Sequence, residues 1–298
     1  MILETRSNIE RIVSIFLLCF NKYSIQHFMK ITFYFAVLIS IFSIVTACNN
    51  NTAESKGNAI SNEPKQLIYT VTASYPHDPS SFTEGFEWRN GFLYEGTGDP
   101  SYSGKSKLLK VDLKTGKPVK EISLDKQFFG EGITLLNDKI YQMTYKEQKC
   151  FLYDAATFTK LKEFTYDGEG WGLTNDGKQL IMSNGSSSIF FRNPENFAVT
   201  KTITVSNNYG PLSNINELEL VDGFLYANLW TTKKIVKIDT TSGKVIAEAN
   251  FDDLLTKYAS DVNTEKVDVF NGIAYDPVGK RFFITGKYYP KVFEVKFN

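Results

Sequence analysis

A repeated unit of a turn followed by a strand constrains the fold of this chain more than any other feature of its sequence. From Leu67 onward, short apolar strands follow dipeptides of the kind that close tight turns. The dipeptides are Asn90-Gly91, Asn137-Asp138, Asp176-Gly177, Asp222-Gly223 and Val278-Gly279. The strands after them begin at Phe92, Lys139, Gln179, Phe224 and Phe282. We therefore interpret this part of the chain as five copies of one β-unit.

The length of the repeat indicates the architecture. Roughly 230 residues shared among five units give a period of about 46, and a four-stranded propeller blade needs about 40–50 residues. The last unit, residues 271–298, is too short for four strands, whereas residues 67–73 form a strand without a unit of its own. We predict an all-β, five-bladed β-propeller over residues 67–298, in which the N-terminal strand completes the last blade and removes two free edges. A β-sandwich is the competing architecture.

The first 48 residues differ in character from the propeller. Met29 and Lys30 precede an apolar run, residues 31–45, and the run ends in Val45-Thr46-Ala47-Cys48, which resembles a bacterial lipobox. We predict a signal sequence over residues 1–48 with Cys48 as the lipidation site. A transmembrane anchor is the alternative, but the run is short for about 30 Å of hydrocarbon. Met29 is a better start than Met1, so residues 1–28 either precede the true start or form an unusually long n-region.

Residues 49–66 are polar and contain no aromatic side chain, which is typical of a flexible tether. Together with the lipobox, this segment predicts an exported lipoprotein of a bacterial cell envelope, facing the periplasm or the cell surface. The predicted contact with the membrane is the lipid anchor. We expect the protein to be a monomer.

Charge and residue counts argue against several functions. The 33 Lys and Arg residues balance the 33 Asp and Glu residues, so the basic face that nucleic-acid binding needs is not indicated. Once the signal is removed and Cys48 is acylated, Cys150 has no disulfide partner. His77 is the only histidine beyond the signal, too little for a His-rich zinc site. It lies between Pro76 and Pro79, where a solvated loop residue is expected. We expect no metal and no cofactor.

The repeat alignment places residues of the five units at equivalent positions. The starts of the innermost strands carry Glu84, Glu131, Trp171, Asn216 and Asn271. The ends of the second strands carry Gly98, Tyr145, Gly185, Trp230 and Lys287. Both sets should face one mouth of the central channel, with the two glycines leaving room. Aromatic walls with a few convergent polar groups are typical of a binding site.

The segments that contain these residues resemble the plant-type glutaminyl cyclases, also called glutamine cyclotransferases. The matching segments are residues 82–85, 129–134, 141–145, 168–173, 216–219, 226–230, 271–276 and 285–291. They cover every unit in the same order as in the family, from about residue 67 to residue 298.

The resemblance implies a five-bladed propeller that converts the N-terminal Gln of peptides and proteins into pyroglutamate, releases ammonia and needs no catalytic zinc. Carried over by motif, Glu131 is the acid/base residue, while Asn216 and Lys287 are the candidates for stabilising the amide oxygen. The expected substrate-binding residues are Phe82, Glu84, Tyr145, Trp171, Trp230 and Asn271.

Three residues depart from the family pattern. Tyr145 and Tyr289 stand where Trp is common, which keeps aromatic walls but leaves the substrate preference open. Glu84 stands where Gln is expected, and a second carboxylate near Glu131 should raise one pKa of the pair. Two other functions stay open: a non-catalytic binding propeller on the same scaffold, and a calcium-dependent lactonase-type hydrolase. Lys287 argues against the hydrolase because it would place a positive charge where the metal should bind.

Overall fold

A computed structural model describes residues 63–298, which form five β-sheets of the kind that make the blades of a propeller. The signal sequence, Cys48 and nearly all of the tether lie outside the described residues. Two strands precede the first blade, β1 (Lys65–Gln66) and β2 (Tyr69–Pro76). Blade I contains β3 (Phe82–Arg89), β4 (Phe92–Gly98), β5 (Lys107–Asp112) and β6 (Lys117–Ser123).

The second and third blades follow the same plan. Blade II contains β7 (Gly130–Leu136), β8 (Lys139–Thr144), β9 (Lys149–Asp154) and β10 (Lys160–Thr165). Blade III contains β11 (Leu173–Asn175), β12 (Leu180–Ser183), β13 (Ser188–Arg192) and β14 (Val199–Thr204). A small hairpin of β15 (Ser206–Asn207) and β16 (Gly210–Pro211) then leads to blade IV.

The last two blades carry the additions to this plan. Blade IV contains β17 (Ile215–Val221), β18 (Phe224–Leu229), β19 (Lys234–Asp239) and β20 (Val245–Asn250), and the helix α1 (Leu254–Tyr258) follows it. Blade V contains β21 (Phe270–Asp276), β22 (Arg281–Gly286) and β23 (Lys291–Phe297). No helix among residues 63–298 is long and apolar enough to cross a bilayer.

The N-terminal strand closes the ring of blades. β2 pairs antiparallel with β23, from Tyr69 opposite Phe297 to Pro76 opposite Lys291, and so becomes the outermost strand of blade V. The predicted closure is therefore confirmed, although the strand spans Tyr69–Pro76 rather than residues 67–73. β1 pairs in parallel with β20. Lys65 and Gln66, which the sequence analysis assigned to the tether, thus add a fifth strand to blade IV.

The hydrophobic core lies between neighbouring blades. Buried Leu108 of blade I packs with Ile133 and Ile140 of blade II, while Phe86 of blade I packs with Phe283 of blade V. Glycines let the innermost strands approach closely: a Cβ on Gly85 would lie 2.4 Å from the backbone nitrogen of Ile133. The five innermost strands are therefore held close to the axis, and their first residues meet at one face.

Candidate active site

Four of the five predicted inner-strand residues lie on β-bulges. The pairing register shifts between Thr83 and Gly85 in β3 and between Gly130 and Ile133 in β7. It shifts again between Ile215 and Leu218 in β17 and between Phe270 and Ile273 in β21. The residues inside these irregular stretches include Glu84, Glu131, Asn216 and Asn271. A bulge interrupts the alternation of side chains and redirects the extra residue, so polar groups can be aimed into a shared space.

Most of the predicted site residues line one cavity of about 160 Å³. Its walls are formed by Phe82, Glu84, Phe129, Glu131, Tyr145, Trp171, Asn216, Trp230 and Lys287. The structure thus brings together every predicted catalytic and substrate-binding residue except Asn271. Asn271 is fully buried and contacts Glu84 instead of lining the cavity. Phe129 was missed, because it precedes β7 and falls in neither set of equivalent positions.

Aromatic side chains form most of the cavity wall. The rings of Trp171 and Trp230 meet edge to face, with centroids 5.5 Å apart. The Phe129 ring packs between those of Phe82 and Tyr145, with centroid distances of 5.9 Å and 5.8 Å. The two glycines of the outer set do leave room for these rings. A Cβ on Gly98 would lie 2.2 Å from the Phe129 ring, and one on Gly185 would lie 2.6 Å from that of Trp171.

A buried ion pair occupies one side of the cavity. Lys287 Nζ donates to Glu84 Oε1 at 2.7 Å and stands 4.4 Å from the centroid of the Phe82 ring. Asn271 Nδ2 donates to the Thr83 carbonyl at 3.0 Å and more weakly to Glu84 Oε2 at 3.4 Å. Lys287 and Glu84 are therefore bonded to each other, and Asn271 also contacts the Glu84 carboxylate.

The Glu131 carboxyl group is buried and uncommitted. Glu131 is 5% exposed, and within residues 63–298 no hydrogen bond engages its carboxyl oxygens. The buried Oδ1 atom of Asn216 also has no hydrogen-bond partner among the described residues. Leaving polar groups buried and unpaired is costly, and each such group in a native structure requires an explanation. Both unpaired groups are explained if these side chains are positioned to bind a polar ligand.

Burial and neighbouring charges shift the three ionisable groups of the cavity. Burial raises the pKa of Glu84 to about 7, although the Lys287 ammonium opposes the rise. Burial also raises the pKa of Glu131 well above its usual range, and the Glu84 carboxylate adds to this effect, in the direction expected from a second carboxylate. For Lys287, burial lowers the pKa, but Glu84 and Glu131 outweigh it and the net change is upward. Lys287 therefore stays charged, and Glu131 readily holds a proton.

Polar contacts at the rim fix two of the aromatic walls. The Trp171 indole Nε1 donates to Glu169 Oε2 at 3.0 Å. Glu169 also pairs with Lys146 at 3.6 Å, and the Lys146 ammonium stands 4.5 Å from the centroid of the Tyr145 ring. These contacts link the loops of blades II and III.

His77 differs from its expected state. The sequence suggested a solvated loop residue, but His77 is 7% exposed. Its Nδ1 lies 2.7 Å from the Tyr289 carbonyl oxygen and its Nε2 lies 3.2 Å from Glu95 Oε1. Burial lowers the pKa of His77, but the Glu95 carboxylate outweighs this effect and the net shift is upward. His77 thus anchors a connection and does not reach the cavity. Among the described residues, no three His, Cys, Asp or Glu side chains are grouped to hold a metal ion.

Comparisons with known proteins identify the family of this chain. The family model described as glutamine cyclotransferase matches residues 40–297. The chain belongs to the glutamine cyclotransferase family. A glutaminyl-peptide cyclotransferase of Arabidopsis thaliana is 34% identical over 252 residues, which cover 83% of this chain and 77% of the relative. The crystal structure of the Myxococcus xanthus glutaminyl cyclase matches with a TM-score of 0.72 at 30% identity, over 79% of this chain and 99% of that chain. The predicted five-bladed fold is confirmed by this match and by the strand order.

Proposed function

We propose that this chain is a glutaminyl-peptide cyclotransferase, an acyltransferase that converts the N-terminal Gln of peptides and proteins into pyroglutamate and releases ammonia without a catalytic metal. The observation that carries the proposal is the buried, uncommitted carboxyl group of Glu131 inside an aromatic cavity of a glutamine cyclotransferase. No described cluster offers a metal site as an alternative source of chemistry.

The cavity fits one small side chain. Its volume is about 160 Å³, and an apolar cavity of roughly 150 Å³ accommodates a molecule the size of benzene. The edge-to-face indoles of Trp171 and Trp230 confine the space on one side. Confinement of this kind favours the folded conformation in which the α-amine of glutamine reaches its own γ-carboxamide carbon. Orientation is the main source of acceleration in such an intramolecular reaction.

Glu131 is proposed to move the proton. It takes a proton from the substrate ammonium, and the neutral amine then attacks the carboxamide carbon to form a tetrahedral oxyanion. As the bond from this carbon to the amide nitrogen breaks, Glu131 gives that proton to the departing nitrogen and takes up the second proton of the attacking nitrogen, so that a neutral lactam and ammonia leave. The carboxyl group then passes the extra proton to the released ammonia or to water, which restores the carboxylate. An α-ammonium group ordinarily has a pKa of about 7.7–8.0. The raised pKa of Glu131 brings the carboxyl group closer to that value, which lowers the free-energy cost of the first transfer.

Asn216 is the stronger candidate for contacting the oxyanion. Its side-chain amide lines the cavity and, within residues 63–298, its Nδ2 donates no hydrogen bond, whereas Lys287 is paired with Glu84 at 2.7 Å. We therefore assign the hydrogen bond to the Asn216 amide and a longer-range electrostatic role to the Lys287 ammonium. Removal of one oxyanion donor typically costs about 10²–10³ in kcat, so Asn216→Ala should lose activity on that scale.

A substrate comparison tests the proposal. The purified chain is incubated with two peptides that differ only in carrying N-terminal Gln or Asn, and the products are weighed by mass spectrometry. We expect loss of one ammonia from the Gln peptide alone, because only its side chain closes the five-membered lactam. Binding without turnover would indicate the binding propeller instead. Chelator-sensitive ester hydrolysis would indicate the lactonase-type hydrolase.

The cellular setting is part of the proposal. The sequence from Val45 to Cys48 and the polar segment that follows support an exported protein that is acylated at Cys48 and held at the bacterial cell envelope. In this arrangement the tether would place a monomeric propeller next to the membrane, where it would meet peptides and proteins with N-terminal Gln.

A further inference from the structure

A groove of about 810 Å³ adjoins the active-site cavity. One side of it is the connection from β2 to β3, since residues 77–82 all line the groove. Another side is one face of β5, which contributes the alternating residues Lys107, Leu109 and Val111. Phe82 lines both the groove and the active-site cavity. The two spaces therefore share a wall.

The course of the connection shows where the groove leads. β2 is the outermost strand of blade V and β3 is the innermost strand of blade I. Residues 77–82 thus run from the outer edge of the propeller toward its axis and end just before Glu84. Tyr288 also lines the groove, and its ring packs against that of Phe82 with centroids 5.2 Å apart. The groove is therefore a radial path that reaches the active site at Phe82.

We propose that this groove binds the residues that follow the N-terminal glutamine of a polypeptide substrate, in an extended conformation. The inference rests on the proposed function. The cavity of about 160 Å³ takes one glutamine side chain, while the groove is about five times larger. Every residue after the first must leave through the mouth of the cavity, and the groove provides a course for them across the protein surface.

The lining of the groove suits a polypeptide backbone with mixed side chains. Buried Leu109 and Val111 are its apolar part. The exposed Lys105 ammonium group can donate hydrogen bonds to backbone carbonyl oxygens. The exposed hydroxyl groups of Ser80 and Ser101 already donate to neighbouring carboxylates, but their oxygens can still accept from backbone N–H groups. No carboxylate within residues 63–298 forms an ion pair with Lys105. The groove therefore offers both apolar contact and free donors.

Hydrogen bonds within the protein hold the wall of the groove in place. His77 ties the connection to Glu95 at 3.2 Å and to the Tyr289 carbonyl at 2.7 Å. The Ser81 carbonyl accepts a hydrogen bond from the Tyr288 backbone N–H at 2.7 Å. A preformed wall reduces the entropy that binding would otherwise cost. The buried His77 thus has a structural role that serves the binding of longer substrates.

A second large cavity does not compete for this role. It has a volume of about 570 Å³ and is lined by the far ends of β3, β17 and β21. It shares no lining residue with the active-site cavity. A peptide held at Glu131 therefore reaches the groove beside Phe82 first.

Tryptophan substitutions in the groove test the proposal. Lys105→Trp and Pro118→Trp place a large ring at two exposed groove positions, and Lys178→Trp is the control in an exposed turn of blade III. The value of kcat/KM is measured with glutamine amide and with a Gln-led peptide of about six residues, which spans roughly 20 Å when extended. We expect Lys105→Trp to lower the value for the peptide about tenfold, mainly through KM. Pro118→Trp should lower it as well, whereas turnover of glutamine amide and the control variant should not change.

The outcomes separate the groove from the chemistry. Equal losses for peptide and glutamine amide, or no loss for either, would overturn the groove assignment. If the unsubstituted chain turns over neither glutamine amide nor the peptide, the proposed function fails by itself. In that case the groove assignment is tested by calorimetry, which compares the affinity of the unsubstituted chain for the same peptide with that of Lys105→Trp. Weaker binding to the variant is expected, and equal binding would refute the proposal.

Discussion

Exchange of Glu131 for Gln removes proton transfer while keeping the size of the side chain. General acid–base catalysis contributes about 10²–10⁴-fold, so kcat should fall by that factor in Glu131→Gln. The variant should fold normally, because within residues 63–298 no hydrogen bond to the Glu131 carboxyl group would be broken. Single-turnover measurement of ammonia release reports the chemical step apart from substrate binding.

The same exchange should change how the stability of the protein depends on pH. Folding raises the pKa of Glu131, so the folded state binds this proton more tightly than the unfolded state. The resulting stabilisation is fully present below the unfolded pKa of about 4.3 and is lost as the pH rises through the folded pKa. Glutamine does not titrate. In thermal unfolding, the Tm of Glu131→Gln relative to the parent should therefore rise between pH 4 and pH 8. A relative Tm that falls over this range would contradict the burial argument.

Glu84→Gln is the matched control for the pair of carboxylates. It keeps an acceptor for Lys287 but removes the negative charge that helps to raise the pKa of Glu131. Turnover should stay within about one order of magnitude, and the acidic limb of the kcat/KM profile should move to lower pH. If Glu84→Gln abolishes turnover while Glu131→Gln retains it, the roles of the two carboxylates are reversed.

Four further changes test other parts of the structure. Gly185→Ala should raise KM and alter tryptophan fluorescence, because its Cβ would lie 2.6 Å from the Trp171 ring. Gly177→Ala is the control, since it also has a positive φ but lies in open space; it should lower stability without changing KM. Deletion of residues 69–76 should cause aggregation or loss of cooperative unfolding, since it leaves one edge of β23 unpaired; unchanged melting would refute the closure. Treatment with EDTA should leave turnover intact, and a loss restored by zinc would contradict the proposed mechanism. Cys48→Ser should abolish membrane attachment, and a processed, membrane-bound variant would exclude the lipobox.

The fold could be predicted because its information is local and repeated. Turn dipeptides such as Asn90-Gly91 mark each hairpin, and positive φ values of 52° and 86° at these two residues show why Asn and Gly stand there. The closing strand could be inferred from a count of strands. The end of this strand at Pro76 could not be inferred, because the length of β2 is set by its pairing with β23, more than 200 residues away in sequence.

The site was predictable only where the repeat determines position. Glu84, Glu131 and Asn216 could be grouped because each begins an innermost strand. Phe129 lies outside that pattern; its only signal is Gly98, whose missing side chain leaves space for the Phe129 ring. The burial of His77 depends on the distant Tyr289 carbonyl and on Glu95, contacts that no local pattern encodes.

A time course of the reaction decides whether this chain cyclises N-terminal Gln through Glu131. The purified chain is mixed with a peptide that begins with Gln, and the mass of the peptide and the free ammonia are followed together, with Glu131→Gln in parallel. We predict that the mass of the peptide falls by one ammonia, in step with the ammonia released, at a rate about 10²–10⁴-fold lower in the variant. Equal rates for the chain and the variant, or no mass change with either, would contradict it.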